Sequence, residues 1–485
     1  MNIIHISSEI LPWSKAGGLG DVSGALPAAL AARGHRVVTV APRYAAYDDV
    51  HDLGLTGGGW LYGQPHRIRW FHARRGQVDH LFVDHPSFHR DGIYGDARGT
   101  FGDNLFRYAL MCRASLQVPQ LPLLSDSVDE DLVFHANDWH AGLVPLLLDA
   151  VSRPAGRYLR AASILALHNV AHHGAESLDH FDALDLAPRW RSTLTHQNML
   201  SPLKGGVSTA DQLVTVSPNY AKEITQTRGH GLEPLLAARW SDLHGIVNGV
   251  GEEWDPRTDP LLPAAFGPDD MDGKTLCKSA LQKKMGLEVD PDAPVFGFIG
   301  RLVHQKGLDL LEGLVPWLAH RGAQVVLLGS GQPEWEAWMR AVCGAHPGRV
   351  ATWVGYDEGL AHLITAGCDG LLMPSRFEPC GLNQLYAMRY GTVPLVHATG
   401  GLVDTVEPVD LAEDSGTGYR FWPYDLGPAL GAADAFLRLY REDRAAFDRI
   451  RARGMAQRFD WGRAAASYES VYRQALERRQ RISEG

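Results

Sequence analysis

Short apolar runs rich in β-branched residues alternate along this chain with longer stretches of helical period. Asn2–Ser7, Arg36–Ala41, His80–Asp84, Leu132–His135, Ser163–His168 and Gln212–Ser217 predict strands. Asp21–Arg33, Asn104–Gln117, Trp139–Val151 and Pro218–Thr225 predict helices between or after them. The strands are apolar throughout, as in a parallel sheet covered by helices on both faces. The pattern then restarts. Pro294–Gly300, Ala323–Gly329, Val350–Val354, Gly370–Pro374 and Val393–His397 predict strands, with helices over Gly307–His320 and Glu334–Cys343. Two successive βα series predict an α/β chain of two Rossmann-like, doubly wound domains.

Gly, Trp and Pro interrupt the period over Asn248–Asp259, which is expected to be an interdomain linker. The expected domains are residues 1–247 and 260–455, with a final helix over 456–485 packing back on the first domain. Ala264–Gly273 reads as a surface loop, and Arg441–Arg479 as helical and highly charged. Ligands of such sheets bind outside the carboxyl ends of the strands, so a deep cleft faced by both domains is the expected site.

Composition narrows the function classes. The formal charge of −10 argues against a non-specific nucleic-acid binder, whose affinity comes from neutralising phosphates. No stretch approaches the roughly 20 apolar residues that span a bilayer, and no membrane partner is expected. Met1–Pro12 lacks a basic start and carries Glu9 within its apolar run, so it reads as a strand and not a signal peptide. The five cysteines are odd in number and lack C-x-x-C spacing, which fits reduced thiols in the cytoplasm better than disulfides or a zinc site.

Five runs at predicted strand ends carry candidate chemistry. Lys15-Ala16-Gly17-Gly18-Leu19-Gly20-Asp21 offers a glycine turn, a helix start and a cation, a combination suited to an anion; a tight turn that happens to hold a lysine is the plain alternative. Neither G-x-G-x-x-G nor a Walker A sequence occurs. His135-Ala136-Asn137-Asp138-Trp139-His140 offers a carboxylate and a flat ring to a sugar; Asp138 as a helix N-cap is the simpler reading, and the spacing is loose for a metal. His168-Asn169-Val170-Ala171-His172-His173-Gly174 clusters imidazoles in a loop. In Gly300-Arg301-Leu302-Val303-His304-Gln305-Lys306-Gly307, Arg301 and Lys306 flank a strand-to-helix turn and suit a diphosphate, or are two solvated surface cations. In Pro374-Ser375-Arg376-Phe377-Glu378-Pro379-Cys380-Gly381-Leu382, Glu378 precedes a helix start, where it binds sugar hydroxyls or serves as a cap. Thr399-Gly400-Gly401 adds another glycine turn. The acidic strings Asp129–Asp131 and Asp269–Asp272 read as solvated loops, and no metal or cofactor is expected.

Together the runs KAGGLGDVSGALP, HANDWHAGL, LHNVAHHG, GIVNGV, GRLVHQKGLD, PSRFEPCGL and TGGLVDTV resemble, in order, the bacterial glycogen synthase and plant starch synthase family, retaining glucosyltransferases of GT-B fold. The resemblance implies transfer of glucose from ADP-glucose to the non-reducing end of an α-1,4-glucan such as glycogen, with the first domain on the acceptor side and the second binding the nucleotide sugar. It implies that Lys15, Gly17 and Gly18 form a donor-binding loop and that Arg301 and Lys306 act on the distal phosphate. It further implies that His168, Asn248 and Glu378 lie around the transferred glucose, that Cys380, Gly381 and Leu382 contribute donor contacts, that Tyr356 stacks on adenine, and that His168, Arg301, Lys306 and Glu378 carry the catalytic roles. Tyr94, Asp138 and Asp21 fall where acceptor or sugar contacts are implied.

Three positions depart from the pattern. Gly251 replaces an aspartate, Asn383 stands where bacterial members often have threonine, and Tyr386 occupies the place of the second acid in the Glu-x7-Glu of broader relatives. A hexosyltransferase using a UDP- or GDP-sugar, or a non-catalytic glucan-binding protein on the same scaffold, are the competing readings.

Overall fold

A computed structural model describes residues 1–96, 98–123 and 131–484. Asp129 and Glu130 of the first acidic string lie outside them. The chain divides into two compact units, one of Met1–Gly249 with Trp461–Gly485 and one of Val250–Asp460. Among the described residues no helix is long and apolar enough to cross a membrane.

The first unit is built on β1 (Asn2–Ile6), β2 (Arg36–Pro42), β3 (His51–Leu61), β4 (Gln64–Arg75), β5 (Val78–Asp84), β6 (Leu132–Asn137), β7 (Ala162–Leu167), β8 (Gln212–Thr215) and β9 (Leu243–Gly245). Their order across the sheet is β9-β8-β7-β6-β1-β2-β5-β4-β3. Pairing is parallel except where β4 runs antiparallel to β3 and β5. The β3–β4 hairpin is absent from the sequence reading. Its glycines at 54 and 57–59, together with Pro65, dilute the strand signal.

Ile3, Val133, Ile164 and Val214 of the sheet pack with Val22 and Leu26 of the helix Gly18–Ala32 and with Ala465, Tyr468 and Tyr472 of the last helix, Trp461–Glu484. Buried residues of that last helix recur at helical spacing (461, 464, 465, 468, 471, 472, 475, 479), which leaves Arg463, Arg473 and Arg481 on the outer face while Arg479 turns inward to Asp211. The charged stretch 441–479 is helical, spanning the end of Leu426–Glu442, the helix Arg444–Ala456 and most of Trp461–Glu484. The helix expected over Trp139–Val151 is also broken, into Asp138–Ala141, Leu143–Leu147 and a wider turn at Leu148–Ser152, with Pro145 inside the run.

The second unit carries β10 (Val295–Ile299), β11 (Gln324–Gly329), β12 (Val350–Val354), β13 (Gly370–Met373), β14 (Val393–His397) and β15 (Tyr419–Phe421). The sheet is parallel throughout, in the order β12-β11-β10-β13-β14-β15. Val325 and Leu327 face one apolar layer with Leu311, Leu314 and Phe436, while Val326 and Leu328 face another with Leu281 and Ile364. Alternate side chains of one strand thus enter two cores, which is why these strands read as continuous apolar runs.

Residues 250–259 are not a free linker; they are built into the second unit. The Trp254 ring lies between His362, 3.7 Å between centroids, and Tyr386, at 4.1 Å. Asp259 Oδ2 accepts from His362 Nδ1 at 2.7 Å and from the Tyr390 hydroxyl at 2.6 Å. Arg389 donates to the Gly251 carbonyl and to Asp255. Gly251 therefore sits in a turn pinned by Arg389.

Asp259→Ala removes the shared acceptor of two buried donors. It is expected to lower the unfolding free energy of this unit by about 3 kcal/mol. Urea unfolding followed by circular dichroism measures it, and a loss below about 1 kcal/mol would place the anchor of this segment elsewhere.

Candidate functional site

In the second unit the loop after β10 and the loop after β13 are neighbours because their strands pair. Two glycines allow the loops to close. Gly307 has φ +73°, and a Cβ there would stand 1.8 Å from the Pro374 carbonyl oxygen; Gly400 has φ +46° and would meet the Glu378 carbonyl oxygen at 2.0 Å. Arg376 N–H donates to the Gln305 carbonyl at 2.9 Å, and Gly401 N–H donates to that of Glu378 at 3.0 Å. The glycine turn Thr399-Gly400-Gly401 thus supports the backbone that carries Glu378.

This closure brings Lys306 Nζ to 2.7 Å from Glu378 Oε2, which also accepts from the Ser375 hydroxyl at 2.9 Å. Glu378 is therefore an ion-pair partner and not a helix cap. Arg301 is exposed and makes no ion pair among the described residues. Cys380 is buried, and the carbonyls of Cys380 and Gly381 both accept from Gln384 Nε2 at 3.0 Å. Leu382 precedes the helix Asn383–Arg389, whose first residue donates from its side chain to the Ile299 carbonyl at the end of β10. That bond gives the unusual Asn383 a local role. Tyr356 follows β12, and its ring is 78% exposed.

In the first unit the glycine turn is held from below. Glu9, 3% exposed, accepts the N–H of Ala16 at 2.6 Å and of Gly17 at 2.9 Å through Oε2, while the Tyr94 hydroxyl donates to Oε1. Burial raises the Glu9 pKa above the ordinary carboxylate value, opposed by the Tyr94 and backbone hydrogen bonds. The Gly17 N–H thus points inward to a carboxylate and not outward to an anion, although the helix beginning at Gly18 keeps its N-terminus beside the turn. Lys15 is paired with Asp21 at 2.7 Å. Tyr94 also bonds Ser8 and stacks on His140 at 4.7 Å, so its hydroxyl is engaged within the protein.

Asp138 is not an N-cap. It has φ +52°, and its Oδ1 accepts the backbone N–H of His168 at 2.7 Å and of Asn169 at 3.3 Å, tying the end of β6 to the loop after β7. His168 Nε2 lies 2.9 Å from Asn137 Oδ1, and burial lowers the imidazole pKa to about 4. Asn248 follows β9; it is buried, and its Oδ1 has no partner among the described residues. Lys15, Gly17, Gly18, Asp21, Tyr94, Asp138 and His168 thus gather at one edge of this unit's sheet. Among the described residues no hydrogen bond joins Asn248 to them. Sequence reasoning assigns no role to Glu9 or Asn137, which the structure places against the glycine turn and His168. For Glu9 a signal existed, an acid within an apolar strand run. Among the described residues no three of His, Cys, Asp and Glu form a group that could hold a metal ion.

Burial raises the Asp138 pKa from 3.8 to about 7. The folded form then binds more protons than the unfolded chain between those values, so stability falls as the pH rises through that window. Asp138→Asn keeps an acceptor for the His168 N–H and is expected to flatten this fall in a series of thermal melts from pH 4 to 7. A variant with the parent's slope would assign the dependence to another group.

Known proteins resemble this chain along most of its length. Residues 2–238 match the family described as starch synthase catalytic domain, and residues 282–444 match glycosyl transferases group 1. The chain is 45% identical to soluble starch synthase 1 of Oryza sativa subsp. japonica, over 98% of this chain and 78% of the relative. It is 46% identical to a glycogen synthase of Anaeromyxobacter sp. (strain Fw109-5), over 98% and 99%. The catalytic domain of starch synthase IV from Arabidopsis thaliana, solved with ADP and acarbose, superposes with a TM-score of 0.89 at 30% identity, over 98% of this chain and 99% of that one. A sucrose-phosphate synthase from Thermosynechococcus elongatus, 18% identical with a TM-score of 0.61, shares the fold. With two Rossmann-like units of GT-B type and these relatives along its length, the chain belongs to the starch synthase and bacterial glycogen synthase family of glycosyltransferases.

Proposed function

We propose that this protein transfers glucose from ADP-glucose to the non-reducing end of an α-1,4-glucan, glycogen included, with retention of configuration. The observation that carries this reading is the Lys306–Glu378 pair, with Arg301 unpaired on the same turn. Breaking the bond between glucose and phosphate builds negative charge on the departing phosphate and positive charge on the anomeric carbon. Arg301 supplies a forked donor to that phosphate and Lys306 a point charge, while Glu378 faces the cationic carbon. The departing phosphate oxygen takes the proton of the acceptor hydroxyl as that hydroxyl attacks from the same face. Retention then needs no covalent enzyme intermediate, and no metal or other cofactor enters the scheme.

His168 binds the transferred glucose, with Asn248 as a further sugar contact. Lys15, Gly17 and Gly18 serve donor binding, as do Cys380, Gly381 and Leu382, and Tyr356 offers its exposed ring to adenine. Asp21, paired with Lys15, is the acceptor-side carboxylate. Tyr94 and Asp138 shape that side from beneath, since their polar atoms hold Glu9 and the His168 backbone. A cytoplasmic setting is supported by five cysteines that form no disulfide among the described residues.

The test supplies purified protein with glycogen and either ADP-glucose or UDP-glucose and measures the nucleoside diphosphate released. Release of ADP with growth of the glucan is expected. Turnover with UDP-glucose alone, or glycogen binding without turnover, would refute the proposal. Lys306→Ala and Glu378→Ala are each expected to lower kcat by roughly 10²–10³ with the circular dichroism unchanged.

A further inference from the structure

We propose that Asn137 is a positioning residue for His168: it holds the imidazole in its Nε2–H tautomer, so that Nδ1 meets the sugar only as a hydrogen-bond acceptor. The proposal rests on the reading that His168 binds the transferred hexose.

The argument begins with the sheet. β6 lies between β1 and β7, pairing Ala136 with Ile6 and Asn137 with Ala166. Asn137 is fully buried at the carboxyl end of β6, where its amide spans both neighbours. Nδ2 stands 2.9 Å from the Ile6 carbonyl oxygen and 3.1 Å from His5 Nε2, while Oδ1 stands 2.9 Å from His168 Nε2. A backbone carbonyl can only accept, so the amide atom facing Ile6 must be the NH₂. The orientation of this amide is thereby set by the main chain. Oδ1, an acceptor, then faces His168 Nε2, which must carry the ring's proton.

Burial keeps His168 from taking a second proton near neutral pH, because the charged ring would lose its hydration. The charged and titratable groups packed around it are His5 and His135 from β1 and β6, His140 from the turn after β6, and Asp138, whose Oδ1 is engaged with the His168 backbone. His5 and His135 are themselves held neutral by burial. No hydrogen bond among the described residues engages His168 Nδ1. The ring thus presents a lone pair, and a sugar hydroxyl must donate to it. Asn137 selects the tautomer, and Asp138 fixes the backbone that aims it.

The first measurement needs no substrate. Two-bond proton–nitrogen correlation spectra of the full chain labelled with ¹⁵N-histidine, with His168→Gln to assign the signal, are expected to show the Nε2–H form above pH 6. An Nδ1–H form there would overturn the proposal whatever the enzyme assay gives. In Asn137→Ala the signal is expected to become a mixture of tautomers and kcat/KM for ADP-glucose to fall about tenfold. Retention of pure Nε2–H in that variant would also overturn the proposal. Asn137→Asp keeps the shape and the acceptor but sets a negative charge beside the ring, so the acidic limb of its pH profile of kcat/KM is expected to move up by at least one pH unit. An unmoved limb in folded Asn137→Asp counts against the assignment. Should the parent protein fail to turn over ADP-glucose while its spectrum shows Nε2–H that is lost in Asn137→Ala, the donor assignment fails and the positioning by Asn137 stands.

Discussion

A lysine amine 2.7 Å from a buried glutamate ties together the two loops of the candidate site in the second unit. Taking both charges from water is costly, and their attraction offsets the cost only if the remaining polar atoms are satisfied. Here the Ser375 hydroxyl adds a second bond to the same oxygen, Oε2, and leaves Oε1 without a protein partner among the described residues. Lys306 has three N–H groups and spends one on Glu378, so an incoming phosphate can bind without breaking the pair. Fixed donors that need not reorganise as charge develops are what a phosphate-leaving reaction requires.

The first unit also uses carboxylates, but to hold the backbone of its loops. Glu9 at the end of β1 accepts from the glycine turn, and Asp138 at the end of β6 accepts from the loop after β7. In each case a carboxylate at a strand end ties down a loop that follows its own or a neighbouring strand. Apolar packing cannot position such loops, because their backbone N–H groups need acceptors once buried. The carboxylates supply them, and the loops gain a single conformation without a larger core. Lys15 and Asp21 stand outside this framework as an exposed pair, which holds the cation loosely.

Most of the parallel sheets was legible in the sequence because strands buried on both faces leave unbroken apolar runs. Val325-Val326-Leu327-Leu328 feeds two cores with one signal. The β3–β4 hairpin left no such run, since its outer strand is largely exposed and rich in glycine. The segment 250–259 misled for another reason. Its Gly, Trp and Pro look like a linker locally, while the partners that anchor it, His362, Tyr386 and Tyr390, lie over a hundred residues away. The site followed the same division. Lys306 and Glu378 were legible from residue type and place at strand ends. The contact between Asn137 and His168 was not, because Asn137 reaches His168 only through a strand order that puts β6 between β1 and β7, and no spacing along the chain records that order.

Tyr386 shows how a departure from a pattern becomes readable once packing is known. It stands where broader relatives carry a second acid, and its ring is 8% exposed and stacked on Trp254 with an interplanar angle of 1°. A carboxylate at this depth would need a cation, and the nearby Arg389 is already engaged with Asp255 and Gly251. The aromatic ring instead meets the tryptophan that pins the start of the unit, and His362 closes the stack from the other side. The helix Asn383–Arg389 therefore contributes its mechanical support through Tyr386 and leaves the acidic chemistry of this region to Glu378.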